Sequence, residues 1–276
     1  MISVYDHGFL YGLGLFETFR TYDGTPFLLD RHLHRLREGC AQLGIPYDRT
    51  AAELSELISK LLGENRLQDA YVRLTVSAGT GELGLPSGDY TAPNEIIMVK
   101  ALPPMSDELY VSGRELRKLQ TSRNTPEGAI RLKSLHYMNN IVARKEMLAI
   151  GAAAGAEGLM LTREGWLAEG IVSNLFFVRQ DRVICTPSID TGILPGITRG
   201  YVLEQAELAG LQTEQGLYTW DDLLGAEEVW LTGSVQELVP VTKLTDASGA
   251  SKIVGGGKSG PVHRLLLSRY REAVHQ

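Results

Sequence analysis

The chain has 276 residues, 43% hydrophobic and 22% charged, which suits one large or two ordinary globular domains with ample core. A net charge of −6 argues against nucleic acid or an anionic membrane as the main partner, while leaving room for a local cationic cluster that binds a small anionic substrate. No signal peptide opens the chain and no run of about 18 apolar residues occurs, so a cytoplasmic protein is expected.

The first stretch, Asp6 to Gly12, runs into an alternation in which Phe16, Thr18 and Arg20 face one side of a strand and Leu15, Glu17 and Phe19 the other. Asp23-Gly24 is a hairpin signal, with a return strand over 26–29. Asp30 reads as the N-cap of a helix whose apolar face is Leu33, Leu36, Cys40 and Leu43, closed by Gly44. His32 and His34 point to different sides and make a poor metal pair; Arg35, taken alone, is an ordinary helix-surface arginine. Cys40 and Cys185 match no metal spacing and read as two buried thiols. Thr50 to Glu53 is a capping box for a second helix, striped by Leu54, Leu57, Ile58 and Leu61 and closed by Gly63. A strand over 70–78 alternates Val72, Leu74 and Val76 against Tyr71, Arg73 and Thr75. A Gly/Pro/Ser loop over 79–93 and a strand over 95–102 follow. The pattern is two helices on one sheet, and a boundary near 120 gives domains 1–120 and 121–276.

Pro126 and Gly128 mark a turn, 129–132 reads as extended, and from about His136 Met138, Ile141, Val142 and Leu148 fall at near-helical spacing. Lys133 therefore sits where strand passes to helix, beside Ile130, Leu132 and Leu135. Burial there disfavours the ammonium form and makes a better nucleophile and proton shuttle, although a lysine in such a place is more often solvated or paired. A strand over 157–162 precedes the block Leu167 to Phe176, in which Glu169 alone would be a strand-end carboxylate in water. Gly196-Ile197-Thr198 opens a helix running to about Ala209, and its free N–H groups and dipole make an anion site on physical grounds. Thr232, Gly233 and Ser234 follow a strand over 228–231 as a small donor nest. The run Gly255 to Ser259 lacks the glycine a phosphate loop needs at position 252, which is Lys252, and reads as a turn before a last helix over 262–274.

In chain order these segments resemble the fold-type IV pyridoxal-phosphate (PLP) enzymes, a family of branched-chain aminotransferases, D-amino acid aminotransferases and 4-amino-4-deoxychorismate lyases. The resemblance covers nearly the whole chain. It rests on Asp6 to Gly12, on Phe16 to Arg20, on His32 to Leu36, and on Arg123 to Asn140 around Lys133. It rests further on Glu169 to Phe176, on Gly196 to Thr198 and on Leu231 to Ser234. The wording around Lys133 and His7-Gly8-Phe9 looks most like the Bacillus-type lyases. The resemblance implies an α+β fold, with an N-terminal two-layer domain and a C-terminal barrel-like domain around the cofactor, and a homodimer. It implies that Lys133 carries PLP and that Glu169 meets the pyridine nitrogen, supported by Ser173 and Asn174. Arg35, Gly196, Ile197, Thr198, Thr232, Gly233 and Ser234 would hold the phosphate, and no metal is called for. The implied reaction turns 4-amino-4-deoxychorismate into 4-aminobenzoate and pyruvate, with amino transfer from D- or branched-chain amino acids as the other reading. That substrate carries two carboxylates, for which Arg20, Arg73 and Arg123 are candidate partners. Family members usually carry a short strand pair before this start, so the first edge of the sheet is left open.

Overall fold

The computed structural model describes residues 2–274. They form two compact units, one reaching to Pro103 and taking back Leu132–Tyr137, the other made of Pro104–Arg131 and the chain from Met138 onward. The first unit ends at the Pro103-Pro104 pair, ahead of the boundary expected near 120. The cause is a strand the sequence reading passed over, Arg114–Lys118, which pairs only with strands of the second unit.

The first unit contains α1 (His7–Tyr11), β1 (Gly14–Tyr22), β2 (Thr25–Pro26), α2 (Leu29–Gln42), α3 (Ala51–Asn65), β3 (Ala70–Ser77) and β4 (Asn94–Ala101). Its strands form an antiparallel sheet in the order β2-β1-β3-β4. Leu15, Phe19, Val72, Leu74 and Val76 on one face pack against Leu33, Leu36, Leu54 and Ile58 of the two helices, the expected two layers. Asp23 and Gly24 both have positive φ, as a tight hairpin with right-handed strand twist requires. The return strand is only two residues long, because the chain turns into α2 at once. Leu28, in the left-handed region, holds the N-cap position, and Asp30 lies in the first turn, where its charge complements the dipole. Thr50 and Glu53 close the expected capping box, but α3 continues through Gly63 to Asn65 and stops at the left-handed Arg66.

The second unit contains α4 (Asp107–Ser112), β5 (Arg114–Lys118), α5 (Met138–Ala149), β6 (Glu157–Leu161), β7 (Leu167–Gly170), β8 (Asn174–Val178) and β9 (Ile184–Pro187). It continues with α6 (Ile197–Leu208), β10 (Thr213–Gly216), α7 (Trp220–Leu224), β11 (Glu228–Gly233), β12 (Glu237–Thr245), β13 (Ser251–Ile253) and α8 (Pro261–Ala273). Its nine strands make one mixed sheet, ordered β10-β9-β8-β11-β12-β5-β6-β7, with β13 on β12. The last strand, β7, also lies against β8 and β9, so the sheet curls as a barrel-like domain should. Leu116, Leu159, Leu175, Phe177, Leu231 and Leu244 fill it. Helix α5 turns the other way from its apolar stripe. Ala143 and Met147 face Leu119, Met160 and Ile171, whereas Met138, Ile141, Val142 and Leu148 are exposed. Fold and composition together are α+β in two units.

Candidate active site

In the first unit the segment 132–137 fills an edge of the sheet. Strand β2 covers only Thr21 and Tyr22 of β1, and the other end of β1 is free for a partner. Phe16 N–H donates to the Lys133 carbonyl and Leu135 N–H to that of Gly14, both at 2.9 Å. The 129–132 piece is thus no strand; Lys133 is fixed as an extended edge residue, five positions before α5 begins. Gly12 permits the close approach behind it. Its φ is 70°, and a Cβ there would lie 2.7 Å from the His136 ring, whose Nε2–H donates to the Tyr11 carbonyl.

The register pairs Phe16 with Thr75, Thr18 with Arg73 and Arg20 with Tyr71, so these six side chains share the sheet face away from the helices. Lys133 Nζ lies 4.5 Å from the centroid of the Phe16 ring, and the Arg73 guanidinium lies 3.7 Å from the same centroid. Arg20 rests on Tyr22 at 4.2 Å. Arg73 donates from Nε to Thr75 Oγ1, and among the described residues no carboxylate pairs with it.

The opposite face holds Glu17, buried between Leu15 and Phe19. Arg35 grips both of its oxygens, Nε to Oε1 at 2.8 Å and Nη2 to Oε2 at 2.6 Å, and His32 donates from Nδ1 to Oε2 at 2.6 Å. Burial alone would raise the Glu17 carboxyl, but the guanidinium and the imidazole outweigh it and hold it at about 2. Burial lowers His32 against the pull of Glu17. Arg35, a phosphate candidate by resemblance, thus commits two of its five donors to this carboxylate. Neither Glu17 nor His32 was singled out from the sequence. The available signal was a charge at a position whose alternation faces the core.

In the second unit Glu169 is the penultimate residue of β7, buried. Its Oε1 accepts from Arg123 Nε at 2.8 Å; its Oε2 accepts from Asn174 Nδ2 and from Leu194 N–H, each at 3.1 Å. Burial pushes this carboxyl above the ordinary carboxylate range, with Arg123 and the Leu194 N–H pulling against it. Arg123 is itself buried, and its Nη1 donates to the side-chain oxygens of Asn139 (2.8 Å) and Asn124 (3.2 Å). Arg123, named above as a candidate partner for a substrate carboxylate, thus turns Nε and Nη1 toward Glu169 and the asparagine oxygens. Arg131 lies beside it, donating to the Gly192 carbonyl and to Asn124.

The remaining expected residues surround the start of α6. Gly196 takes the N-cap position with no side-chain cap, so the first N–H groups of a three-turn helix stay open to an anion. A Cβ on Gly196 would meet Asn174 Oδ1 at 2.0 Å, so only glycine fits. Thr198 and Ser234 hydroxyls meet at 3.2 Å. Ser173 Oγ and Thr232 Oγ1 are buried with no hydrogen-bond partner. A buried hydroxyl without a partner is costly. Open N–H groups together with unpartnered hydroxyls suit a phosphate ester, and Glu169 suits a ring N–H; the residues present fit PLP. Among the described residues no group of three or more His, Cys, Asp or Glu could hold a metal ion.

Fold and site define the class. Residues 14–244 match the model of the amino-transferase class IV family, and the chain belongs to that family. It is 42% identical to an aminodeoxychorismate lyase of Bacillus subtilis (strain 168), over all of this chain and 92% of that protein. It is 31% identical to a putative branched-chain-amino-acid aminotransferase of Methanocaldococcus jannaschii, over 98% of this chain and 90% of that one. The crystal structure of 4-amino-4-deoxychorismate lyase from Pseudomonas aeruginosa superposes with a TM-score of 0.85 at 31% identity, covering 99% of this chain and 95% of that chain.

Proposed function

We propose that this protein is a PLP-dependent lyase that converts 4-amino-4-deoxychorismate to 4-aminobenzoate and pyruvate, a step toward folate precursors. The observation that carries the reading is the full-length 42% identity to a lyase of that name. PLP, when bound, supplies an electron-withdrawing ring that acidifies the carbon bearing the substrate amine.

The chain's own residues do the rest. Lys133 Nζ holds the cofactor and, once released by the substrate amine, takes the proton from that carbon. It can return a proton to the ether oxygen as the C–O bond breaks, and aromatisation drives the step. Arg73, beside Lys133 on the Phe16 ring, is the cation placed for a substrate carboxylate, with Arg20 further along the same face. The open N-terminus of α6, with Thr198, Thr232 and Ser234, holds the phosphate. We assign the protein to the cytoplasm; among the described residues no helix is long and apolar enough to cross a membrane. A homodimer is part of the proposal, supported by the exposed Met138, Ile141, Val142 and Leu148 along α5, an apolar stripe that suits a second copy.

Amino transfer is the second reading, supported by the aminotransferase named among the relatives above. Both readings share the lysine, so its test comes first. Borohydride reduction of the yellow protein should fix the label on Lys133, and Lys133→Ala should lose turnover entirely. A label on another lysine, or a colourless protein that takes up no PLP, would defeat the assignment.

A further inference from the structure

A carboxylate offers about four lone-pair positions. At Glu169 three are taken: two on Oε2, by the Asn174 amide and the Leu194 N–H, and one on Oε1, by Arg123. One position on Oε1 is left. Arg123 is fixed in turn, because its Nη1 is held by Asn139 and Asn124, with Asn140 at 3.5 Å, and all three acceptors are neutral amide oxygens. Asn139 is itself tied, donating to the Ser122 carbonyl, and Asn140 donates to that of Ile171. The buried guanidinium therefore has one carboxylate partner, Glu169, and the buried carboxylate has one ion-pair contact, through Arg123 Nε.

We propose that Arg123 is a positioning residue: clamped by the asparagines at the start of α5, it keeps Glu169 ionised and aimed, with the last acceptor position of Oε1 left for a ring N–H. The proposal rests on the PLP reading and deepens it. Without Arg123, the buried carboxyl would keep only the unbonded charges of Arg131 and Arg199 and would take up a proton itself, and its two neutral partners would not hold a ring nitrogen in its protonated form. A merely structural arginine would change folding and leave the protonation of the ring unmoved.

The experiment loads the whole protein with PLP labelled with 15N in its ring and reads the ring nitrogen by NMR across neutral pH, with thermal melting alongside. Wild type should show the protonated nitrogen. Arg123→Met should bind PLP and show the signal shifted to the unprotonated position, with kcat reduced. Arg123→Lys should lie between them. Asn139→Ala keeps the guanidinium but removes its shortest Nη1 contact, and should shift the signal in the same direction by less; it carries the test if Arg123→Met does not fold. A wild-type nitrogen that is unprotonated, or a signal that stays at the wild-type position in Arg123→Met or, failing that variant, in both Asn139→Ala and Arg123→Lys, would overturn the inference. A wild-type protein that takes up no PLP would instead defeat the cofactor reading on which it stands.

Discussion

Arg35–Glu17 in the first unit and Arg123–Glu169 in the second each pair an arginine with a buried glutamate, and they are built differently. Arg35 meets Glu17 with a two-pronged grip, and a histidine N–H adds a third charge-relevant bond. Arg123 meets Glu169 with one prong only; an amide and a backbone N–H supply the rest. The first carboxyl is held at about 2, the second is pushed upward by burial. Equal burial thus gives opposite outcomes, decided by how many cationic donors meet the carboxylate. Both carboxylates accept three hydrogen bonds, but two of those at Glu17 come from a guanidinium, which ties α2 to β1, and only one at Glu169 does.

The contrast can be broken by one substitution in each pair. Glu169→Gln should retain PLP while kcat falls on the order of 10²–10³-fold, as when a preorganised electrostatic contact is removed; it also leaves the buried Arg123 guanidinium without its carboxylate partner, so the melting temperature should fall as well. An unchanged kcat would remove Glu169 from the chemistry. Glu17→Gln should act on stability and cost roughly 3 kcal/mol in urea unfolding, because it leaves the half-buried Arg35 guanidinium without its counter-charge. A stable variant with normal PLP binding would show that the first pair is dispensable.

Acid titration sharpens the same contrast. The folded pKa of Glu17, about 2, lies below its ordinary value of 4.5. Its contribution, on the order of 3 kcal/mol, is therefore fully present above about pH 4.5 and is lost as pH falls toward 2. The urea midpoint of wild type should drop through that window, and the drop should be smaller in Glu17→Gln; equal slopes would contradict the assignment. The smallest effect is expected from Asn174→Ala. It removes one neutral donor from Glu169, which corresponds to about 1 kcal/mol and a correspondingly modest loss of kcat.

Much of this arrangement was legible in the sequence, and the reasons for the rest are physical. Alternation exposed β1 and β3, and with them the shared face of Phe16, Arg20 and Arg73, because one side of that sheet packs on helices. Strand β5 hid because Arg-Glu-Leu-Arg-Lys contains one apolar residue, Leu116, and β10 because Thr-Glu-Gln-Gly contains none. Both are defined by their neighbours rather than by their own pattern. Helix α5 misled in the opposite way, since its apolar spacing marks the exposed side. The motifs located Lys133, Glu169 and the turn into α6. They could not show that Arg123 turns inward, because a partner 46 residues away is set by the curl of the sheet.

The central claim is the reaction, and its most direct test is purified protein given 4-amino-4-deoxychorismate with no keto acid. The account predicts 4-aminobenzoate and pyruvate in equal amounts, with no second substrate consumed. Absence of that turnover, together with rapid amino transfer from D-alanine or leucine to 2-oxoglutarate, would contradict it.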